Sequence, residues 1–137
     1  MTFFSGYLAA LIVFGILDAL WLSTMARRLY RPTLGSLLLD NLRWAPAVIF
    51  YFLFPLGVVH FAVMPAYAAG SLTLALVNGA FIGLLAYATY DLTNYATLRV
   101  WTLTLTLVDI AYGTVATALV AGGAFGALRL LASAGWL

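Results

Sequence analysis

Four runs of about twenty apolar residues fill most of the chain, at about Phe3–Met25, Trp44–Val63, Leu72–Thr93 and Val100–Ala121. Wound as helices at 1.5 Å per residue, runs of that length reach roughly 30 Å, the thickness of a bilayer's hydrocarbon core. Water offers them no comparable home. The 137 residues are 66% hydrophobic and 7% charged, and a folded chain of this size leaves too much of its surface exposed to hide that apolar content. The sequence therefore predicts an all-α fold, an integral membrane bundle of four transmembrane helices. A single transmembrane domain is expected over residues 1–137, with helices at about 3–25, 44–63, 72–93 and 100–121. The Gly- and Ala-rich stretch 122–137 carries Arg129 and Trp136 and is too interrupted for a fifth span. It is expected to be an interfacial tail anchored by the tryptophan.

Proline and arginine mark the layout. Pro46 falls in the first turn of the second run, where its missing N–H costs nothing, and Pro55 is expected to kink that helix. The first run lacks a basic start and contains Asp18, so it reads as a retained span and not a cleavable signal. Arg27, Arg28, Arg31, Arg43 and Arg99 fall on one side of the predicted topology, and Arg129 alone on the other. The positive-inside rule then places both termini outside and the two arginine-bearing connections in the cytoplasm.

Several chemistries are excluded. With no cysteine and one histidine, thiolate catalysis, disulfides and zinc–cysteine sites are ruled out, and no metal or cofactor is expected. No phosphate loop, nucleophile elbow or His-rich box is present. The arginines form no basic patch suited to nucleic acid. No residue receives a catalytic role, and whether the chain is an enzyme stays open.

The informative residues are carboxylates inside the apolar runs. Charge is costly there, so such residues face the bundle interior and often mark a site. Asp18 lies about 13 Å from the level of Arg27, and Asp109 about 15 Å from Arg99, both near the expected midplane. Helices one and four are expected to bring Asp18 and Asp109 together, where they would share a proton. Asp91 lies nearer the cytoplasmic end. There it reads either as a third member or as an interfacial partner of Arg99.

Spacing orients the helices. Thr102, Thr106, Asp109, Gly113 and Thr117 recur every three or four residues and form one stripe on helix four. On helix three, Gly79, Gly83, Tyr87 and Asp91 do the same, with Asn94 beyond them. Gly79, Gly83 and Gly113 are expected to let backbones approach closely. His60, near the outer end of helix two, reads as hydrogen-bonded or solvated and not as a ligand.

Leu17-Asp18-Ala19-Leu20-Trp21-Leu22, the stretch from Ala86 through Tyr90-Asp91-Leu92-Thr93-Asn94 to Arg99, and Val108-Asp109-Ile110-Ala111-Tyr112-Gly113 resemble the predicted bacterial membrane proteins grouped as domain of unknown function 2177. The likeness covers nearly the whole chain, and its Tyr-Asp-Leu-Thr-Asn stretch is the most specific part. It implies a small polytopic membrane protein and adds weight to Asp18, Asp91, Asn94 and Asp109, while bringing no established activity.

Three functions remain in view. The intramembrane carboxylates point to a small proton-coupled transporter or channel. Asp91, Asn94, Tyr95 and Arg99 at headgroup depth would instead suit a membrane lipid-modifying enzyme or its membrane subunit, the arginine holding a phosphate. A structural or assembly partner is the third. The small-residue stripe reads as a contact within the bundle, with contact between chains as the alternative, and the expected partners are the lipid bilayer and a second copy in a homo-oligomer.

Overall fold

The computed structural model describes residues 1–137, apart from the side chain of Ser36. Among the described residues, four helices are long and apolar enough to cross a membrane: α1 (Thr2–Leu34), α2 (Trp44–Ala69), α3 (Leu72–Thr97) and α4 (Leu103–Ser133). Each turns large apolar side chains outward, such as Phe4, Ile12 and Ile16 on α1 and Phe81 and Leu85 on α3. On a soluble monomer, apolar faces this continuous would be a liability; in a bilayer they are the lipid contact.

The helices outrun their predicted bounds, each for a physical reason. α1 was expected to end near Met25, but it continues through a π turn at Ala26–Tyr30 and a further helical turn at Arg31–Leu34. Its arginines point outward, so the helix carries them into the interface without burying charge. α2 likewise passes through a π turn, Val59–Val63, one turn after Pro55. It ends where Gly70 takes a left-handed conformation (φ 65°) and Ser71 N–H donates back to the Ala66 carbonyl at 3.0 Å. Ser71 then caps α3, its hydroxyl accepting from Leu74 N–H at 3.2 Å, and Thr102 caps α4 in the same way at 3.1 Å.

The tail over 122–137 requires correction. Residues through Ser133 continue α4, and Ala124, Phe125 and Leu128 are buried in the core. Gly122 and Gly123, which read as interruptions, are contact points: a Cβ at Gly122 would meet a Leu76 methyl at 2.7 Å, and one at Gly123 would meet Val13 at 3.2 Å. Glycine in a membrane helix marks close packing more than helix ends. Only the last residues, with exposed Trp136, lie beyond the helix.

The two ends of the bundle differ. Toward the termini, α1, α2 and α4 close over an apolar core that includes Ala10, Val59, Ala62, Val63, Ala124 and Leu128. Toward the arginine-bearing connections the bundle is looser. Over Trp44–Val58, α2 lies on α1, and it reaches α3 mainly through Val59–Ala69. Helix two therefore leans away from helix three over Trp44–Val58, the segment before its π turn, with Pro55 and the π turn interrupting regular helix bonding where the two helices part.

Candidate functional site

The site begins with the contact between α3 and α4. Gly79 faces Thr117, Ala118 and Ala121, Gly83 faces Gly113 and Thr117, and Gly113 lies under the Tyr87 ring. A Cβ at Gly79 would stand 2.7 Å from that of Ala121, and one at Gly83 would fall on the Gly113 carbonyl oxygen. The helices can approach this closely only because those positions lack side chains. All three glycines singled out by spacing therefore sit within this one interface, and the stripe is used inside the chain. The contact also fixes an antiparallel register, with 79 against 121, 83 against 117 and 87 against 113. One turn further, the same register sets Asp91 opposite Asp109.

Asp91 is fully buried, and neither carboxylate oxygen has a hydrogen-bond partner among the described residues. Arg99 is exposed on the surface, so the interfacial pairing with Asp91 is not formed. Tyr95 is exposed as well, and Asn94 is half-buried. The headgroup-depth cluster of Asp91, Asn94, Tyr95 and Arg99 is thus divided between core and surface.

Asp109 is buried and accepts a hydrogen bond from the Tyr30 hydroxyl, which in turn accepts from Trp21 Nε1 at 2.9 Å. Trp21 stacks on Tyr112 with centroids 3.9 Å apart. Asp18, also buried, accepts from the Tyr51 hydroxyl, and the Tyr112 hydroxyl lies at 3.5 Å from its other oxygen. Asp18 and Asp109 therefore belong to one connected network. Their hydrogen bonds run to tyrosines, however, and not to each other. Because α4 extends to Ser133, Asp109 lies in its first third and not at its centre, and Asp18 occupies the middle of α1.

Tyr30 and Tyr51 carry two of these bonds, and neither stood out in the sequence. In an unbroken α-helix, Trp21 and Tyr30, nine residues apart, would point to opposite faces, since nine residues make two and a half turns at 3.6 per turn. The π turn absorbs a residue and brings Tyr30 inward, a use of π geometry frequent at functional sites. The stripe on α4 is buried at Thr106, Asp109, Gly113 and Thr117, whereas Thr102 is exposed and caps the helix. Thr106 turns its hydroxyl onto the Thr102 carbonyl at 3.0 Å, a local bond that asks nothing of a ligand.

Replacing Tyr30 with phenylalanine should leave Trp21 N–H and one Asp109 oxygen unmatched at a cost of about 1–3 kcal/mol. The thermal midpoint in detergent should fall clearly for Tyr30→Phe and stay put for Tyr95→Phe, whose ring is exposed. Equal midpoints would show that the network does not tie α1 to α4.

Charge is segregated across the molecule. All six arginines and His60 are exposed, while three of the four acids, Asp18, Asp91 and Asp109, are buried. The groups around the carboxylates are phenols, Tyr30, Tyr51, Tyr87 and Tyr112, with Tyr90 at the edge. Among the described residues no group of three or more metal-ligating side chains is assembled. A cleft of about 340 Å³ leads to this region, walled by Phe50 and Phe54 of α2 and by Ala86, Tyr87 and Tyr90 of α3, with Asp109 behind them.

Four apolar helices around buried carboxylates and tyrosines define a polytopic integral membrane protein with a polar centre. A family model described as a predicted membrane protein, DUF2177, matches residues 3–126. The chain belongs to that family. No curated protein and no solved structure matches it.

Proposed function

We propose that this protein is a small proton-coupled transporter of the bacterial inner membrane and that Asp18, Asp91 and Asp109 form its proton-handling centre. The observation that carries this reading is the burial of three carboxylates without a single basic partner among the described residues. Ionising all three inside a bundle would be prohibitively costly, so the centre must hold protons, bind a cation, or alternate between the two. Tyrosine hydroxyls both donate and accept, and they suit a centre whose carboxylates change protonation without losing their bonds. The looser, arginine-bearing half gives this centre an approach, while the apolar core closes the other half.

Proton-linked flux tests the reading directly. Purified protein in liposomes with an internal pH dye should dissipate an imposed pH gradient when a transported cation is supplied, and Asp109→Asn should not. The orientation that accompanies this reading places both termini outside, because five of the six arginines flank the opposite ends of the helices. A periplasm-active reporter fused after Leu137 should be active, and one inserted between Leu38 and Arg43 should be silent. The reverse pattern overturns the orientation.

A further inference from the structure

Resting on the proton-coupled reading, we infer that the cargo is a hydrophobic organic cation that enters sideways from the bilayer between α2 and α3. The cleft between these helices is bounded by Phe50 and Phe54 on one side and Ala86, Tyr87 and Tyr90 on the other. Phe50, Ala86 and Tyr90 are exposed on helices whose outward faces are apolar, so the mouth opens toward lipid tails. A second apolar groove follows the same seam past Phe54, Gly57, Phe61 and Ile82. Helix two opens this seam by leaning away from helix three before its π turn.

The chemistry at the inner end selects the charge. Aromatic faces attract cations through their ring quadrupoles. Behind them lie Asp109 and, opposite it in register, Asp91, whose two oxygens have no partner among the described residues. Tyr30 from α1 donates to Asp109, Tyr87 and Tyr90 from α3 line the cleft with it, and Asp18 of α1, with Tyr51 from α2 and Tyr112 from α4 donating to it, completes the cluster. All are acids or phenols, so an anion would find no counter-charge here. A cation arriving from the membrane replaces a proton: one carboxylic O–H bond breaks, the proton leaves to bulk water, and the positive charge takes its place beside the carboxylate. The cleft volume lies within the range of small-molecule sites.

The test uses the full chain in nanodiscs with tetraphenylphosphonium as probe and tetraphenylborate, its anionic counterpart in shape, as control. Tetraphenylphosphonium should bind saturably, more tightly as pH rises, and release protons to a weakly buffered medium. Asp109→Asn should weaken it at least about tenfold, the equivalent of losing about 1.4 kcal/mol. Ala86→Trp fills the mouth from the lipid side, away from the α3–α4 contact, and should abolish binding while the carboxyl groups titrate as in wild type. Equal binding of tetraphenylborate, or binding indifferent to both substitutions, overturns the inference. If the carboxyl groups exchange protons but no tetraphenylphosphonium binds, this cargo class is wrong and the proton-coupled reading stands. If they do not exchange protons at all, the proton-coupled reading falls first.

Discussion

Gly83→Ile should prevent the bundle from assembling, whereas Leu85→Ile, two residues away, should be nearly silent. Both place the same β-branched side chain in the same helix. Position 85 is exposed to lipid, where another aliphatic group is as good as leucine. At position 83 the first added carbon would land on the Gly113 carbonyl oxygen, and the rest of the side chain would meet Thr117 Cβ, 2.8 Å from that carbon. Backbone cannot rotate out of the way as a flexible side chain can. The helices would have to separate along the contact that also aligns Asp91 with Asp109 and seats Tyr87 over Gly113. Overpacking of this kind typically costs about 1–3 kcal/mol, and more where backbone is the obstacle. Gly83→Ile should therefore yield little monodisperse protein in detergent, and Leu85→Ile should match wild type in yield and thermal midpoint. Equal behaviour of the two would mean that α3 is rotated away from α4.

Asp109→Asn should leave the fold intact and remove proton-linked activity. The amide oxygen still accepts from Tyr30, so the hydrogen bond that ties α1 to α4 at this residue survives. What disappears is a group able to release a proton and then attract a cation. Flux driven by a pH gradient should fall to the level of protein-free liposomes, while the thermal midpoint stays close to that of wild type. Asp109→Leu should be equally inactive and, by replacing a buried polar group with an apolar one, close to neutral in stability once the protein is inserted. Activity retained in Asp109→Asn would leave Asp18 and Asp91 as the carriers, or none of them.

Much of this architecture is legible in the chain. Apolar runs of bilayer length announce four helices, and three-or-four-residue spacing identifies the faces of α3 and α4 that meet. The same spacing picks out Gly79, Gly83 and Gly113, because glycines at helical intervals can only mean close approach or a break. That ambiguity also hides the end of α4 in the sequence. Gly122, Gly123 and Gly126 look like a break until Leu76 and Val13 are seen packed against the first two. The carboxylates stand out because charge is rare here, but their partners do not. Tyrosines are common in this chain, and only the π turn at Ala26–Tyr30, invisible to any fixed period, brings Tyr30 to Asp109. The placing of Asp91 opposite Asp109 is likewise a matter of register between two helices, which neither helix reveals alone. The lateral cleft depends on where α2 leaves α3, and Pro55 hints at a bend without giving its direction.

The central claim is that the buried carboxylates hold an exchangeable proton, and infrared difference spectroscopy of the reconstituted protein during a pH titration tests it most directly. Wild type should show a protonated-carboxyl stretch near neutral pH that shifts in deuterated water and disappears as pH rises. The band should be reduced or displaced in Asp109→Asn and in Asp91→Asn, since each substitution removes a member of the cluster. A spectrum without any protonated-carboxyl band at neutral pH, or a band unchanged by replacement of Asp18, Asp91 and Asp109 in turn, would contradict the account.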